Sequence, residues 1–415
     1  MFTRHQAMTK SKRATASLPE APGARFRLPR SESSVLTADD GELLMGHTER
    51  LLCAPTAPYA EDAALAVVES FAAARPTLVR RRDPHGNLLL TWPGNGRTSK
   101  APQLAFSAHL DHPGFHYRGM RDGRRRASFH GGVPLEYMVG GDVRFFDPKT
   151  HAACATARVR RAEKRPDGTA MCELSRFRGR ARRGMFGAWD LTPGRISGRR
   201  FRGRVCDDLL PAAASLALLD LLAERRHPRP VTAIFTRAEE TGFVGCVGLL
   251  RSGLLGRALG DVHVIGLECS PRRTTAKVGL GPVIRVGDGR TVFDPAICAH
   301  LQTAAATLAK KRGGFPVQRA LMDGGSCEST AYNLWGVPAG GLCLALGNYH
   351  NTGPQQTIAE EFVDWFDFEG LLALMLEAAS AWPGPRQPPL RAALNERWQK
   401  EYKLLAASAR RTAQT

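Results

Sequence analysis

Seven side chains in this sequence have types and spacing that could carry metal-assisted chemistry: His109, Asp111, Asp207, Glu239, Glu240, Glu268 and His350. Histidines and carboxylates are hard-to-borderline ligands, suited to zinc and also to cobalt or manganese. Two ions sharing a bridging carboxylate need about five ligands, and His109, Asp207, Glu240, Glu268 and His350 supply that number. Two carboxylates remain. Asp111, two residues from His109, is placed to orient its imidazole. Glu239, beside Glu240, is placed over a metal-bound water whose pKa falls toward ~7. It would take that water's proton and deliver it to a leaving nitrogen.

Taken singly, each of these residues has a plainer reading. His109 alone reads as a core or surface histidine, Asp207-Asp208 as a helix cap, and Glu239-Glu240 as a solvated face. The elements around them argue otherwise. Short apolar strands are expected at Leu104–Ala108, Val231–Thr236, Val262–Leu267 and Ala339–Leu346. His109-Leu110-Asp111, Glu239-Glu240, Glu268 and Asn348-Tyr349-His350 follow those strands directly, where open α/β sheets bind ligands. Asp207-Asp208 precedes a strong helix over Leu209–Glu224, with Pro211 in its first turn.

Further helices are expected over Leu36–Ala74 (broken at Pro55–Pro58), Val244–Leu255, Phe293–Lys311 and Glu361–Trp382, and a turn at Asp83 feeds a strand through Thr91. Alternation of strands and helices predicts an α/β fold: a mixed, mostly parallel sheet sandwiched by helices. Residues 118–204 break the pattern with short alternating runs, many glycines and many arginines, and predict an inserted small β-rich domain. The expected organisation is a disordered basic tail at 1–37, a discontinuous catalytic domain at 38–117 and 205–385, the insertion at 118–204, and a basic C-terminal helix or tail at 386–415.

The net charge of +19 first suggests nucleic acid or an anionic membrane. Its distribution narrows that suggestion. Residues 1–37 carry net +5, residues 118–204 carry 22 basic and 8 acidic residues, net +14, and the remainder nets zero. Only 10 of the 58 basic residues are lysine, so arginine-rich coding accounts for the excess as well as phosphate contacts do. No run approaches the ~20 apolar residues of a membrane span. Nine cysteines without CxxC spacing exclude a zinc ribbon and a thioredoxin motif, and fit a reducing, cytoplasmic setting.

With these residues in view, the sequence resembles the tetrahedral (TET), glutamyl and deblocking aminopeptidases, a family of co-catalytic di-zinc metallopeptidases. Matching segments are His109-Leu-Asp111-His-Pro-Gly114-Phe115, Asp207-Asp208, Phe235-Thr-Arg-Ala-Glu239-Glu240-Thr-Gly242, Gly279-Leu-Gly281-Pro282-Val-Ile284, Pro316-Val-Gln318, Gly324-Gly325, Gly336-Val-Pro338 and Tyr349-His350. The resemblance spans roughly residues 38 to 382. The 98 residues from His109 to Asp207, against 82 from Glu268 to His350, put the extra domain in the first gap, as that family does. It implies aminopeptidase activity on peptides, two divalent ions and a homo-oligomer built through the insertion. Glu268 stands where the family usually has Asp. His112, Leu209 and Ser326-Cys327 replace an acidic residue, Arg and Thr-Asp. His112 and His116 read either as additional polar groups in the cleft or as surface residues, the second slightly favoured.

Two other readings compete. One is a metal-dependent amidohydrolase or deacylase of small amides. The other is a polyanion- or nucleic-acid-binding protein using the basic insertion, with Phe129, Tyr137, Phe145, Phe146, Phe177, Phe186, Trp189 and Phe201 as stacking candidates. Those aromatics are equally explained as the small domain's own core, and no RNA-binding signature is present.

Overall fold

The computed structural model describes residues 35–96, 102–383 and 389–412. The expected tail at 1–37 lies almost wholly outside the described residues. Helix α1 (Ala38–Cys53) begins where Thr37 Oγ1 accepts the backbone N–H of Asp40, a side-chain N-cap. The chain breaks at Pro55 and Pro58, then forms α2 (Asp62–Ala73) and strands β1 (Val79–Arg82), β2 (Leu88–Trp92) and β3 (Gln103–His109). Next come β4 (Gly114–Arg121), β5 (Arg124–His130), α3 (Leu135–Met138), β6 (Asp142–Phe146), β7 (Ala153–Lys164), β8 (Ala170–Gly179), β9 (Phe186–Trp189), β10 (Gly194–Ser197) and β11 (Arg200–Gly203). The remainder is α4 (Leu209–Glu224), β12 (Val231–Thr236), α5 (Val244–Ser252), α6 (Leu254–Leu259), β13 (Val262–Pro271), β14 (Val283–Asp288), α7 (Pro295–Arg312), β15 (Gln318–Met322), α8 (Glu328–Leu334), β16 (Ala339–Leu346), β17 (Glu361–Asp364), α9 (Trp365–Ser380) and α10 (Pro389–Thr412).

An eight-stranded sheet, ordered β1-β2-β12-β3-β13-β16-β14-β15, forms the centre. Its four middle strands run parallel. Both faces are covered, so successive apolar residues alternate between two cores. Leu104, Phe106 and Ala108 of β3 face the larger core, which includes α1, α4, α7 and α9. Ala105 of β3 and Ile234 of β12 face the smaller one, under α5, α6 and α8. The fold is α/β, as the alternation predicts.

Strands β4 to β9 form a separate closed barrel in the order β4-β5-β8-β7-β6-β9. Closure leaves no free strand edge. Phe115 packs edge-on against Phe129 and Trp189, each at 4.7 Å between ring centres. Phe129, Phe145 and Trp189 are buried in this barrel core, so these three are not exposed stacking faces. Barrel strands run from Gly114 to Trp189. Strands β10 and β11 leave the barrel and pair with β17 in a small sheet of three.

Two sequence expectations need correction here. Glu361–Asp364 is a strand rather than the first turn of the last helix, because it pairs with β11, a partner far away in the chain. Helix α9 starts only after Asp364, whose Oδ1 accepts the backbone N–H of Phe366. Strand β13 continues through Glu268 to Pro271, held by parallel pairing to β16 along that whole length. Glu268 thus projects from within a strand instead of following it. The described part of the C-terminal segment, α10, is helical and exposed. Among the described residues, no helix is long and apolar enough to cross a membrane.

Candidate metal centre

The parallel strands deliver their chemistry to one end of the sheet. β3 ends at His109, the turn after β12 carries Glu239 and Glu240, β13 carries Glu268, and the turn after β16 carries His350. Asp207 and Asp208 sit just before α4 and are joined by a cis peptide bond. All seven residues expected from sequence meet here, and nearly all are buried.

Asp207 lies between the two histidines. Its Oδ1 is 3.4 Å from His109 Nε2, and its Oδ2 is 3.6 Å from His350 Nε2. Glu268 Oε1 approaches His109 Nε2 at 3.5 Å, and Glu240 Oε1 approaches His350 Nε2 at 3.0 Å. Glu239 Oε2 stands 4.0 Å from His109 Nε2. Potential ligand atoms fall into three overlapping groups: His109, Asp207, Asp208 and Glu268; His109, Glu239 and Glu240; Asp207, Glu240 and His350. Asp208 is an addition to the sequence-based set.

Buried polar atoms are nearly always hydrogen-bonded. Asp207 Oδ1, Asp208 Oδ1, Glu240 Oε1 and His350 Nε2 are buried and complete no hydrogen bond, the 3.0 Å approach of Glu240 to His350 included. Crowded carboxylates with orphaned oxygens, flanked by imidazole nitrogens, fit divalent cations. Local charge agrees with that fit. Burial and then Asp207's charge push Glu268 up to about 8. Burial works against protonation of His109, yet Glu239 and the neighbouring carboxylates overcome it and hold its pKa well above the ordinary value. Such a cluster lacks positive charge, which cations would provide.

A further layer of buried groups holds the turns that carry the candidate ligands. Asp111 Oδ1 accepts the backbone N–H of Glu239 at 2.9 Å, and its Oδ2 accepts that of Glu240 at 3.1 Å. Its carboxylate also lies 3.5 Å from His109 Nδ1, but the nearer acceptor for that nitrogen is Asp111's own carbonyl oxygen, at 3.2 Å. Asp111 therefore grips the Glu239–Glu240 turn as well as flanking the imidazole. Glu61, fully buried, continues the grip: its Oε1 accepts the N–H of Ala238 at 3.0 Å and its Oε2 accepts Arg237 Nε at 2.8 Å. Ala238 is held at φ +49°, a left-handed conformation that costs a non-glycine residue energy.

Glu361 is a site residue that the sequence reading misses. Glu361 Oε2 accepts the N–H groups of Cys206 and Asp207, and its Oε1 accepts that of His350. Reading it as the start of a helix hid this role. An alternating Glu-Phe-Val-Asp run ahead of the helix was the available signal. His112 is 2% exposed, which corrects the slightly favoured surface reading and leaves that of a polar group near the site. Its Nδ1 lies 2.6 Å from the carbonyl oxygen of Asp207 and its Nε2 3.0 Å from Asn351 Oδ1. His116 is half-buried, with Nε2 2.8 Å from the Pro58 carbonyl oxygen. Leu209 is buried in the main core.

A cavity of about 210 Å³ opens beside the centre. Asp207, Glu239, Glu240, Glu268 and His350 line one side of it.

The family model for M42 glutamyl aminopeptidase matches residues 180–358. No curated protein matches the chain in sequence. Solved structures do match in fold. A TET aminopeptidase from the archaeon Thaumarchaeota archaeon SCGC AB-539-E09 aligns with TM-score 0.66 and 16% identity over 82% of this chain and 97% of that one. The TET1 peptidase of Pyrococcus horikoshii aligns with TM-score 0.64 and 17% identity over 81% and 99%. An aminopeptidase from Desulfurococcus kamchatkensis aligns with TM-score 0.63 and 19% identity over 82% and 94%. The fold is thus that of TET aminopeptidases, and the segment similar to the M42 glutamyl aminopeptidase model includes Asp207, Glu239, Glu240, Glu268 and His350.

Proposed function

We propose that this protein is a metal-dependent aminopeptidase that removes N-terminal residues from peptides. One observation carries the reading: Asp207 turns one oxygen toward His109 and the other toward His350, among orphaned buried polar atoms. His109 and Glu268 would hold one divalent ion, His350 and Glu240 the other, with Asp207 shared; zinc is the first choice, cobalt or manganese the alternatives. When bound, the ions supply charge that acidifies water and polarises a carbonyl.

The chain's own residues do the rest. Glu239 is buried at the cavity wall and carries no ligand duty in this scheme. Burial, joined by Glu268 and Glu240, raises its proton affinity well above that of an ordinary carboxyl. It is the general base that takes a proton from the attacking water and returns it to the leaving nitrogen. Asp111 and Glu61 hold the backbone that aims it. The cavity is smaller than the ~300–1,000 Å³ of typical ligand pockets, a size suited to one terminal residue.

A homo-oligomer is the corresponding proposal for assembly: the Pyrococcus horikoshii relative forms a tetrahedron or a large octahedral shell. Mass in solution tests it. The cysteines are all unpaired, which supports a reducing, cytoplasmic setting.

The decisive experiment combines metal analysis with hydrolysis of aminoacyl-anilides, with and without chelator. The wild type should hold about two metals per chain. Glu239→Gln should keep them and lose turnover. Failure to bind metal after reconstitution overturns the reading.

A further inference from the structure

Helix α10 carries an apolar stripe that the rest of the fold does not cover. Its side chains from Arg391 to Ala406 are all exposed. Among them are Leu394, Trp398, Tyr402 and Leu405, with exposures from 38% at Tyr402 to 66% at Leu405. Exposed apolar side chains are ordinary one at a time. Here the spacing of four, four and three residues sets them on one helix face. At 1.5 Å per residue, the stripe from Leu394 to Leu405 is about 17 Å long. Trp398 and Tyr402 stack along it, with ring centres 5.2 Å apart. Leu404, also exposed, falls outside the stripe.

The remainder of the helix is basic. Over Pro389–Thr412 the sequence holds Arg391, Arg397, Lys400, Lys403, Arg410 and Arg411 against Glu396 and Glu401, net +4. By helical spacing, Lys400 and Lys403 lie opposite the stripe and Arg397 beside it. Arg391 stands at its N-terminal end and Glu401 at its margin. Lys400 Nζ meets Glu396 Oε1 at 2.8 Å, an exposed pair that contributes little.

The stripe calls for an apolar cover, and the charge for an anionic one. A second copy of α10 would supply the first but would set like charges against each other. A nucleic acid would supply anions without an apolar surface to bury Leu394 and Leu405. An anionic lipid bilayer supplies both in one plane. Acyl chains take the leucines, the headgroup boundary takes Trp398 and Tyr402, and lipid phosphates take the lysines and arginines. We propose that α10 is an interfacial helix that lays Leu394, Trp398, Tyr402 and Leu405 into the surface of an anionic membrane. The stripe runs along the helix, so the helix lies in the surface and does not cross it. None of these four residues belongs to the metal centre or its cavity, so the proposal stands apart from the aminopeptidase reading.

Co-sedimentation of the full-length protein with vesicles tests it. One set is phosphatidylcholine alone; the other is phosphatidylcholine and phosphatidylglycerol in equal parts. Wild type should bind the mixed vesicles, and bind phosphatidylcholine alone much more weakly. Lys400→Gln and Lys403→Gln should each weaken binding to the mixed vesicles about fivefold. Leu394→Ser combined with Trp398→Ser should weaken it at least about tenfold. All of these side chains are exposed, so the variants should melt with wild type. A wild type that binds neither set overturns the proposal. Binding to the mixed vesicles that ignores the α10 substitutions belongs to other basic segments, the barrel included, and also overturns it. A lower mass in solution for the Leu394→Ser, Trp398→Ser protein would show that a second copy covers the stripe, with the same consequence. Equal binding to polyuridylate and to mixed vesicles, lost in the lysine variants but kept in the Leu394→Ser, Trp398→Ser protein, would make α10 a polyanion binder and overturn the membrane assignment.

Discussion

Glu361 accepts the backbone N–H of His350 at 2.9 Å. Its other carboxylate oxygen accepts the N–H groups of Cys206 and Asp207, at 2.7 and 3.1 Å. One buried side chain thus ties together two segments that reach the centre from distant parts of the chain. It touches none of the candidate ligand atoms directly.

That arrangement predicts a role in metal affinity. Glu361→Gln replaces one acceptor oxygen by an N–H group, which would face a backbone donor. Groups that orient metal ligands typically contribute about 10–100-fold in affinity, and a loss of that size is expected. Competition with a graded chelator measures it. Unchanged affinity in a folded Glu361→Gln protein would show that the two segments hold themselves.

Glu61 should act on turnover instead. It holds Ala238 and Arg237, immediately before Glu239. Glu61→Ala releases a backbone conformation that is strained at Ala238. A fall in kcat of about tenfold or more is expected, since base placement is sensitive to shifts of an ångström. Metal content should stay at the wild-type level. Steady-state kinetics beside metal analysis separates this from general unfolding, and a fall in KM alone would contradict it.

Removing metal should destabilise the fold. Binding to the native state adds about 2.7 kcal/mol when free metal stands at a hundred times Kd. Chelation also exposes the repulsion among Asp207, Asp208, Glu239 and Glu268, all buried. A lower melting temperature is expected after chelation, restored by adding back zinc. Calorimetry checks this, and an unchanged transition would argue against a structural contribution from the ions.

The barrel carries an acid-sensitive group. Burial, then His116 and Arg118, lowers the His130 pKa from the ordinary 6.5 to about 4. Between those values the unfolded chain binds more protons than the native one, so stability rises with pH. The contribution is complete above 6.5 and is lost as pH falls toward 4. Urea midpoints at pH 7 and pH 5 should therefore differ more for wild type than for His130→Gln. Equal differences would assign the acid sensitivity to other groups.

Local sequence determined the elements that form from near neighbours. The helix at Leu209–Glu224 and the strands at Val231–Thr236 and Ala339–Leu346 form where their apolar patterns place them. Because those strands are parallel and covered on both faces, their apolar runs are continuous and their ends are marked by His109, Glu239, Glu240 and His350. The seven residues that meet at the candidate centre were legible for that reason. Tertiary structure decided the rest. Glu361–Asp364 is a strand only because Arg200–Gly203 lies beside it. His112 is buried only because Asp207 and Asn351 close over it. The grips of Glu61 and Glu361 join residues far apart in sequence. Such contacts depend on how distant strands are ordered and paired, which no local periodicity records.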